Sequence, residues 1–283
     1  MQVLNLTNVE KSDIKYTISH FPDGEVQITL EEFSRKDDIE VLCRITSAEE
    51  LFLLMQVNDI LTRQGVEWSL EIYYLMGMRM DRVMDFNRPF TLSIIADIIK
   101  SFSCDRVSVL EAHSNRTLSL LGCSEMGSAI PKELTIGCPE FSEKYTLVLP
   151  DEGAHKRLFK FLKRFNISAI VCKKKRDVAT GHLTGFEITN PEDVLKASKP
   201  LMIVDDLCDG GGTFCGIAAE IRKVRPDAKL NIFVTHMVNP KGVENLSKNF
   251  DHVWFTNSYN DWKKAWEHQP TPFPANITQI EVI

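Results

Sequence analysis

At 283 residues the chain is long for one domain and comfortable for two. Its 43% apolar and 25% charged residues are ordinary for a soluble globular protein. The net charge of −6 excludes broad electrostatic attraction to nucleic acid or an anionic membrane, so any phosphate it binds must be held in local pockets.

The first residues, MQVLNLTNVEKSD, lack a basic region followed by an apolar run, and no apolar segment is long enough to span a bilayer. A soluble, cytoplasmic protein is expected. Seven cysteines (Cys43, Cys104, Cys123, Cys138, Cys172, Cys208 and Cys215) form no CxxC pair and are irregularly spaced. That pattern predicts buried reduced thiols, not a disulfide framework or a zinc site.

Apolar, β-branched runs predict strands at Ile39–Ile45, Leu70–Leu75, Arg106–Leu110, Thr146–Leu149, Ala169–Cys172, Leu201–Val204, Leu230–Thr235 and His252–Thr256. Helical spacing links Leu158, Phe161, Leu162 and Phe165, and again Phe214, Ile217, Ala218 and Ile221. Strands alternating with helices predict an α/β fold of parallel sheets with crossover helices. Between Gly122 and Glu143 lie three glycines and two prolines, so the boundary between two α/β halves is placed there, as 1–137 and 138–283. The tail Pro270–Ile283 reads as a loop and a final strand.

The most informative stretch is Leu201-Met202-Ile203-Val204-Asp205-Asp206-Leu207-Cys208-Asp209-Gly210-Gly211-Gly212-Thr213-Phe214. A hydrophobic strand ends in two acids, and after a short turn a glycine-rich run opens an amphipathic helix. Ligands of parallel sheets gather at the carboxyl ends of strands. Glycines let backbone amides approach a phosphate, and a helix N-terminus adds donors and a favourable dipole. Asp205 and Asp206 are placed to accept from the 2- and 3-hydroxyls of a ribose, and Thr213 can add a hydroxyl. Three glycines alone would favour a plain turn whose acids cap the helix; the third acid and the GGGT order favour phosphate binding. No GK[ST] follows, so this is not a P-loop.

The stretch resembles the phosphoribosyl-diphosphate loop shared by type I phosphoribosyltransferases and phosphoribosyl diphosphate synthetases. Further segments are similar to the synthetase branch, the ribose-phosphate diphosphokinases: Phe21-Pro22-Asp23-Gly24-Glu25 to its FxDGE, Tyr73–Arg82 to its nucleotide segment PYFPYARQDR, Arg106–His113 to its strand ending in DLH, Pro150-Asp151-Glu152-Gly153 to its SPDxG, and Lys173-Lys174-Lys175-Arg176 to its KRR. Their order is preserved over roughly residues 20–257.

The resemblance implies two phosphoribosyltransferase-like (type I) domains and a magnesium-dependent transfer of diphosphate from ATP to the C1 hydroxyl of ribose 5-phosphate. It implies that Arg79, Asp81, Arg82 and His113 contact ATP, with Asp23 and Glu25 near the adenine across a subunit interface of a dimer or hexamer. His113, through the triphosphate, and Asp151 would hold Mg2+. Lys174 and Arg176 would stabilise charge on the transferring group from a mobile loop that includes Thr180–Gly185. Asp205, Asp206, Asp209, Gly210, Gly211, Gly212 and Thr213 would hold the ribose and its 5-phosphate. Each residue also has an ordinary reading. His113 could be a satisfied strand-end histidine, the basic run a solvated turn, and Arg79 and Arg82 surface cations. His182, His236, Trp262 and Trp266 are read as structural.

The chain departs from the family at Gly210, where Thr is usual, at Met80 in place of Gln, at Glu111-Ala112 in place of Asp-Leu, and in lacking the usual C-terminal helix. Gly210 opens space beside the 5-phosphate and removes a donor. That change suits either ribose 5-phosphate or a 5-extended acceptor such as ADP-ribose, which a phage branch resembling these synthetases diphosphorylates for NAD+ resynthesis, in the host cytoplasm. A non-catalytic synthetase-associated subunit would tend to lose the loop and metal residues kept here. A phosphoribosyltransferase would not need the FPDGE and MRMDR segments.

Overall fold

The structure is a computed structural model that describes residues 1–126, 131–135, 138–176 and 183–283. Two compact units emerge, Met1–Ser128 together with Ile283, and Ala129–Val282. Both are α/β.

The first unit runs β1 (Gln2–Asn5), β2 (Tyr16–His20), β3 (Val26–Leu30), β4 (Ile39–Ile45), α1 (Ala48–Gln64), β5 (Trp68–Leu75), α2 (Thr91–Lys100), β6 (Arg106–Val109), α3 (Asn115–Leu121) and β7 (Ser124–Glu125). Five strands pair in parallel in the order β1-β4-β5-β6-β7. In β4 the residues Ile39, Val41, Cys43 and Ile45 are buried in strict alternation, the signature of one sheet face turned to a core. Helix α1 opens on a reciprocal capping box between Ser47 and Glu50. Strands β2 and β3 form a separate antiparallel hairpin. Gln56 of α1 fastens it, accepting from the Ile28 amide at 3.0 Å and donating to the Val26 carbonyl at 2.8 Å.

The second unit runs α4 (Pro139–Lys144), β8 (Thr146–Leu149), α5 (Glu152–Phe165), β9 (Ala169–Arg176), β10 (Leu183–Ile188), α6 (Pro191–Lys196), β11 (Leu201–Cys208), α7 (Gly212–Val224), β12 (Leu230–Met237), α8 (Pro240–Asn249), β13 (His252–Thr256), α9 (Trp262–Ala265) and β14 (Ile277–Ile280). Its sheet has the order β10-β9-β8-β11-β12-β13-β14, parallel except for β10 against β9. Both faces are covered. Ile203, Ile232 and Val234 pack with Phe214, Ile217 and Ile221 of α7 and Leu246 of α8. Met202, Val204 and Phe233 pack on the other face with Phe141 of α4 and Leu162 of α5. A strand buried on both sides reads as a continuous apolar run, which is why Leu201–Val204 is so plain in the sequence.

Two expectations are corrected. The basic run Lys173–Arg176 is not a turn or loop but the end of β9, because β10 pairs with it antiparallel. Likewise β11 runs past Val204 to Cys208, so Asp205 and Asp206 are strand residues. Strands β1, β2, β3, β7 and β10 lie outside the predicted set. In β2, four of five residues are exposed, so no apolar alternation marks it. The thiols also divide: Cys43, Cys172 and Cys208 are buried, whereas Cys104, Cys123, Cys138 and Cys215 are partly exposed. Among the described residues no helix is long and apolar enough to cross a membrane.

Candidate functional site

In the second unit, β9, β8 and β11 are neighbours, and chain order turns in opposite directions on the two sides of β8. Such a switch point is where the carboxyl ends of parallel strands leave room for a ligand. Lys174, Asp151 and the Asp205–Asp206 pair are carried at these three ends. Asp151 caps α5, its Oδ1 accepting from the Ala154 amide at 2.9 Å. Its Oδ2 accepts from Lys174 Nζ at 2.8 Å. Burial pushes this carboxyl up, but the Lys174 hydrogen bond and ammonium charge, with the Ala154 and Gly153 amides, outweigh burial and hold it below the usual carboxylate range.

Strand alternation singles out Lys174 from its neighbours. Lys173 and Lys175 occupy the opposite face of β9, where Lys175 lies 3.6 Å from Glu187. Arg176 is the last residue of β9; its side chain lies outside the described residues, as do residues 177–182, including His182 and much of the segment expected to form a mobile loop.

Between β11 and α7 the turn is Asp209-Gly210-Gly211. Gly211 adopts φ +76, a left-handed conformation that favours glycine, and forms the N-cap of α7 without a side chain to cap it. The first-turn amides of Gly212, Thr213 and Phe214 therefore have no intrahelical acceptor to compete for them, an arrangement suited to an anion. Asp205 is half-buried and accepts from the Asp206 amide at 3.1 Å through Oδ1, while Asp206 is only 3% exposed. Asp205 is thus the more accessible of the two acids.

Helix α8 supports this turn through residues that the sequence did not mark. Asn239 donates from Nδ2 to Asp209 Oδ1 at 2.9 Å, and Asn245 donates from Nδ2 to the Gly210 carbonyl at 2.8 Å. Gly242 lies so close that a β-carbon would collide with the Asp209 carbonyl oxygen and meet Cys208 Sγ at 3.1 Å. Nothing in the sequence ties Asn239 to a loop 30 residues earlier.

In the first unit the neighbouring ends of β5 and β6 carry the other segments. Asp81 is 4% exposed, and both its oxygens are engaged by Arg82, at 2.8 and 3.1 Å, with Ser114 Oγ donating at 2.9 Å. The Arg82 hydrogen bond holds the Asp81 carboxyl below its ordinary range against burial, helped by Ser114 and the charge of His113. Asp81 is thus buried with both oxygens occupied, and its contacts hold Arg82, whose own side chain is exposed. The same contacts tie the β5 loop to the β6–α3 loop and bring His113, half-buried, near Asp81. Arg79 is exposed. Glu111, beside His113, holds φ +42, a left-handed backbone costing a non-glycine residue about 1–2 kcal/mol.

Asp23 and Glu25 are exposed at the tip of the β2–β3 hairpin, with Asp23 Oδ1 accepting from the Glu25 amide at 3.2 Å. Among the described residues no group of three or more His, Cys, Asp or Glu could by itself enclose a metal ion. His236 is fully buried with Nδ1 2.8 Å from Ser258 Oγ, and Trp262 is buried and donates to the Met237 carbonyl at 2.6 Å. Both are structural, as expected.

No known protein-family profile matches the chain. It is similar to the ribose-phosphate pyrophosphokinase of Xanthomonas axonopodis pv. citri (strain 306), 27% identical over 248 residues that cover 82% of this chain and 74% of that protein. The protein of the same name from Helicobacter hepaticus is 26% identical over 263 residues, covering 86% and 79%. Among solved structures, the phosphoribosylpyrophosphate synthetase of Mycobacterium smegmatis superposes with a TM-score of 0.77 at 18% identity, over 100% of this chain and 95% of that one. The fold of this chain is the fold of that enzyme, two phosphoribosyltransferase-like units with largely parallel sheets flanked by helices.

Proposed function

We propose that this chain is a diphosphokinase that transfers the β,γ-diphosphate of ATP to the C1 hydroxyl of a ribose 5-phosphate-type sugar, releasing AMP. The observation that carries this reading is the assembly at one strand edge of Lys174, Asp151, Asp205 and the glycine turn opening α7. Similarity to proteins named ribose-phosphate pyrophosphokinase over four-fifths of the chain supports it.

The C1 oxygen bonds to the β-phosphorus, the bond from that phosphorus to the bridging oxygen breaks, and AMP leaves with the electron pair while the hydroxyl proton passes to water. The protein's part is alignment and charge. Helix α7 and its glycine turn bind the 5-phosphate, Asp205 and Asp206 orient the ribose, and Lys174 with Arg176 offsets charge developing on the transferring group. Arg79, Arg82 and His113 bind ATP, with Asp81 holding Arg82. Asp23 and Glu25 act near the adenine in a homo-oligomer.

Magnesium fits these residues in part. Asp151 offers a deprotonated oxygen in a place that already accommodates the Lys174 ammonium, as a hard cation requires, whereas the His113 imidazole is a poor direct ligand for magnesium and would act through the triphosphate. Bound there, the ion would neutralise phosphate charge. With ATP, magnesium and ribose 5-phosphate, chromatography of the spent nucleotide should show AMP; ADP as the sole product would make the chain an ordinary kinase.

A second acceptor, ADP-ribose, is favoured by one observation. Gly210 does not adopt the left-handed backbone, and a β-carbon there would meet nothing within 4 Å. Neither conformation nor packing calls for glycine, so its effect is to leave space where a longer 5-substituent would lie. Gly210→Thr should fold normally and lower the ratio of kcat/KM for ADP-ribose over ribose 5-phosphate by roughly tenfold. An unchanged ratio would remove the size filter from this loop.

A further inference from the structure

Three successive carbonyls of the phosphate turn are engaged within the protein. Cys208 O accepts from the Val238 amide at 2.9 Å, Asp209 O from Cys208 Sγ at 3.3 Å, and Gly210 O from Asn245 Nδ2 at 2.8 Å. These partners lie in β11 and α8 and in the connection between β12 and α8. In a trans peptide the carbonyl and the following N–H point in opposite directions, so fixing one fixes the other. A carbonyl oxygen turned toward a bound phosphate would repel it.

Gly210 is where such a flip is easiest. It and Gly211 carry no β-carbon, and a β-carbon on Gly210 would meet nothing within 4 Å, so side-chain bulk at Gly210 does not oppose rotation of the peptide between them, whose Gly211 amide meets only the Cys208 thiol. Cys208 O is held by backbone and Asp209 O by the buried thiol, but Gly210 O is held by an exposed side chain. Asn239 steadies the same turn at Asp209. Its Oδ1 accepts from the Lys241 amide at 3.0 Å, capping α8, while its Nδ2 holds Asp209.

We infer that Asn245, backed by Asn239, is a positioning residue for the phosphate end of the sugar substrate: its carboxamide keeps the Gly210 carbonyl turned toward α8 and off the ligand. This rests on the sugar-phosphate reading of the loop. It also separates the roles of two sequence features. The glycines permit the loop shape, and α8 selects it.

The test compares the whole protein with Asn245→Ala and Asn245→Asp. Alanine removes the donor, and aspartate, of the same shape, sets a carboxylate against the carbonyl and near the phosphate. KM for the sugar phosphate should rise about fivefold in the first and tenfold or more in the second, with KM for ATP unchanged, as loss of one hydrogen bond and then added repulsion require. Because Asn245 is exposed, the variants should fold; Glu244→Gln, its exposed neighbour, is the control and should match wild type.

Inorganic phosphate gives a readout that needs no turnover. It should raise the melting temperature of wild type and Glu244→Gln, and raise that of Asn245→Asp much less. Equal KM values and equal phosphate-induced shifts in all four proteins would overturn the brace. Wild type that forms no AMP with any sugar phosphate would instead overturn the diphosphokinase reading, and the phosphate melts would still decide whether Asn245 shapes an anion site.

Discussion

Replacing Lys174 by alanine is expected to lower kcat about a hundredfold or more, roughly 3 kcal/mol in the barrier, with little change in KM for either substrate. A charge needed mainly while the diphosphate is in transit stabilises the transition state and not the bound reactants, and its loss appears in turnover. The structure makes the choice of lysine specific. Lys174 is the member of the basic run that reaches Asp151, at 2.8 Å, whereas Lys173 and Lys175 occupy the other face of β9. Lys173→Ala and Lys175→Ala should therefore keep near-normal turnover.

Solvent reaches the ion pair, both side chains being 31% exposed, and screens it, so its breakage should change melting little compared with its effect on rate. Losing the ammonium leaves burial less opposed and should move the Asp151 carboxyl upward. If Lys173→Ala or Lys175→Ala is the slow variant and Lys174→Ala is not, the catalytic charge has been assigned to the wrong face of the strand.

How much of this site was readable before the fold was known follows from the range of each interaction. The apolar runs of the doubly covered sheet and the glycine turn are local patterns, and Ile39–Ile45, Thr146–Leu149 and His252–Thr256 recur with the same bounds. What failed was non-local. The basic run looks like a turn because lysine has little strand preference, yet pairing with β10 keeps it extended. Asp81 reads, through the resemblance, as an ATP contact; its burial and its bond from Ser114, 33 residues later, leave no local mark. The exposed hairpin strand β2 has no apolar period to detect. Asn239 caps, and Gly242 and Asn245 sit in, an amphipathic helix whose sequence carries no sign of the loop it supports.

Gly242 and Gly210 bring this contrast to a measurement, since both are glycines beside the same turn and the sequence ranks them the other way round. At Gly242 a β-carbon would collide with the Asp209 carbonyl oxygen, a backbone atom that cannot swing aside, and would crowd Met237 Sδ at 2.8 Å and Cys208 Sγ at 3.1 Å. All three neighbours are fixed: Met237 and Cys208 are fully buried, and the Asp209 carbonyl accepts from Cys208 Sγ. Gly242→Ala must push α8 from the turn, and overpacking of this kind costs about 1–3 kcal/mol. For a unit of this size that lowers Tm by roughly 3–10 °C. The displacement also pulls Asn245 from Gly210, so KM for the sugar phosphate should rise together with the loss of stability. At Gly210 the added methyl group meets open space on an ordinary backbone, so Gly210→Ala should melt within about 2 °C of wild type or slightly above it, because alanine narrows the unfolded ensemble. Thermal melts of the two variants, read beside KM for the sugar phosphate, test the close approach of α8 to the turn. Equal melting of the two, or a larger fall at Gly210, would mean that α8 does not hold the phosphate turn at the contact distance described.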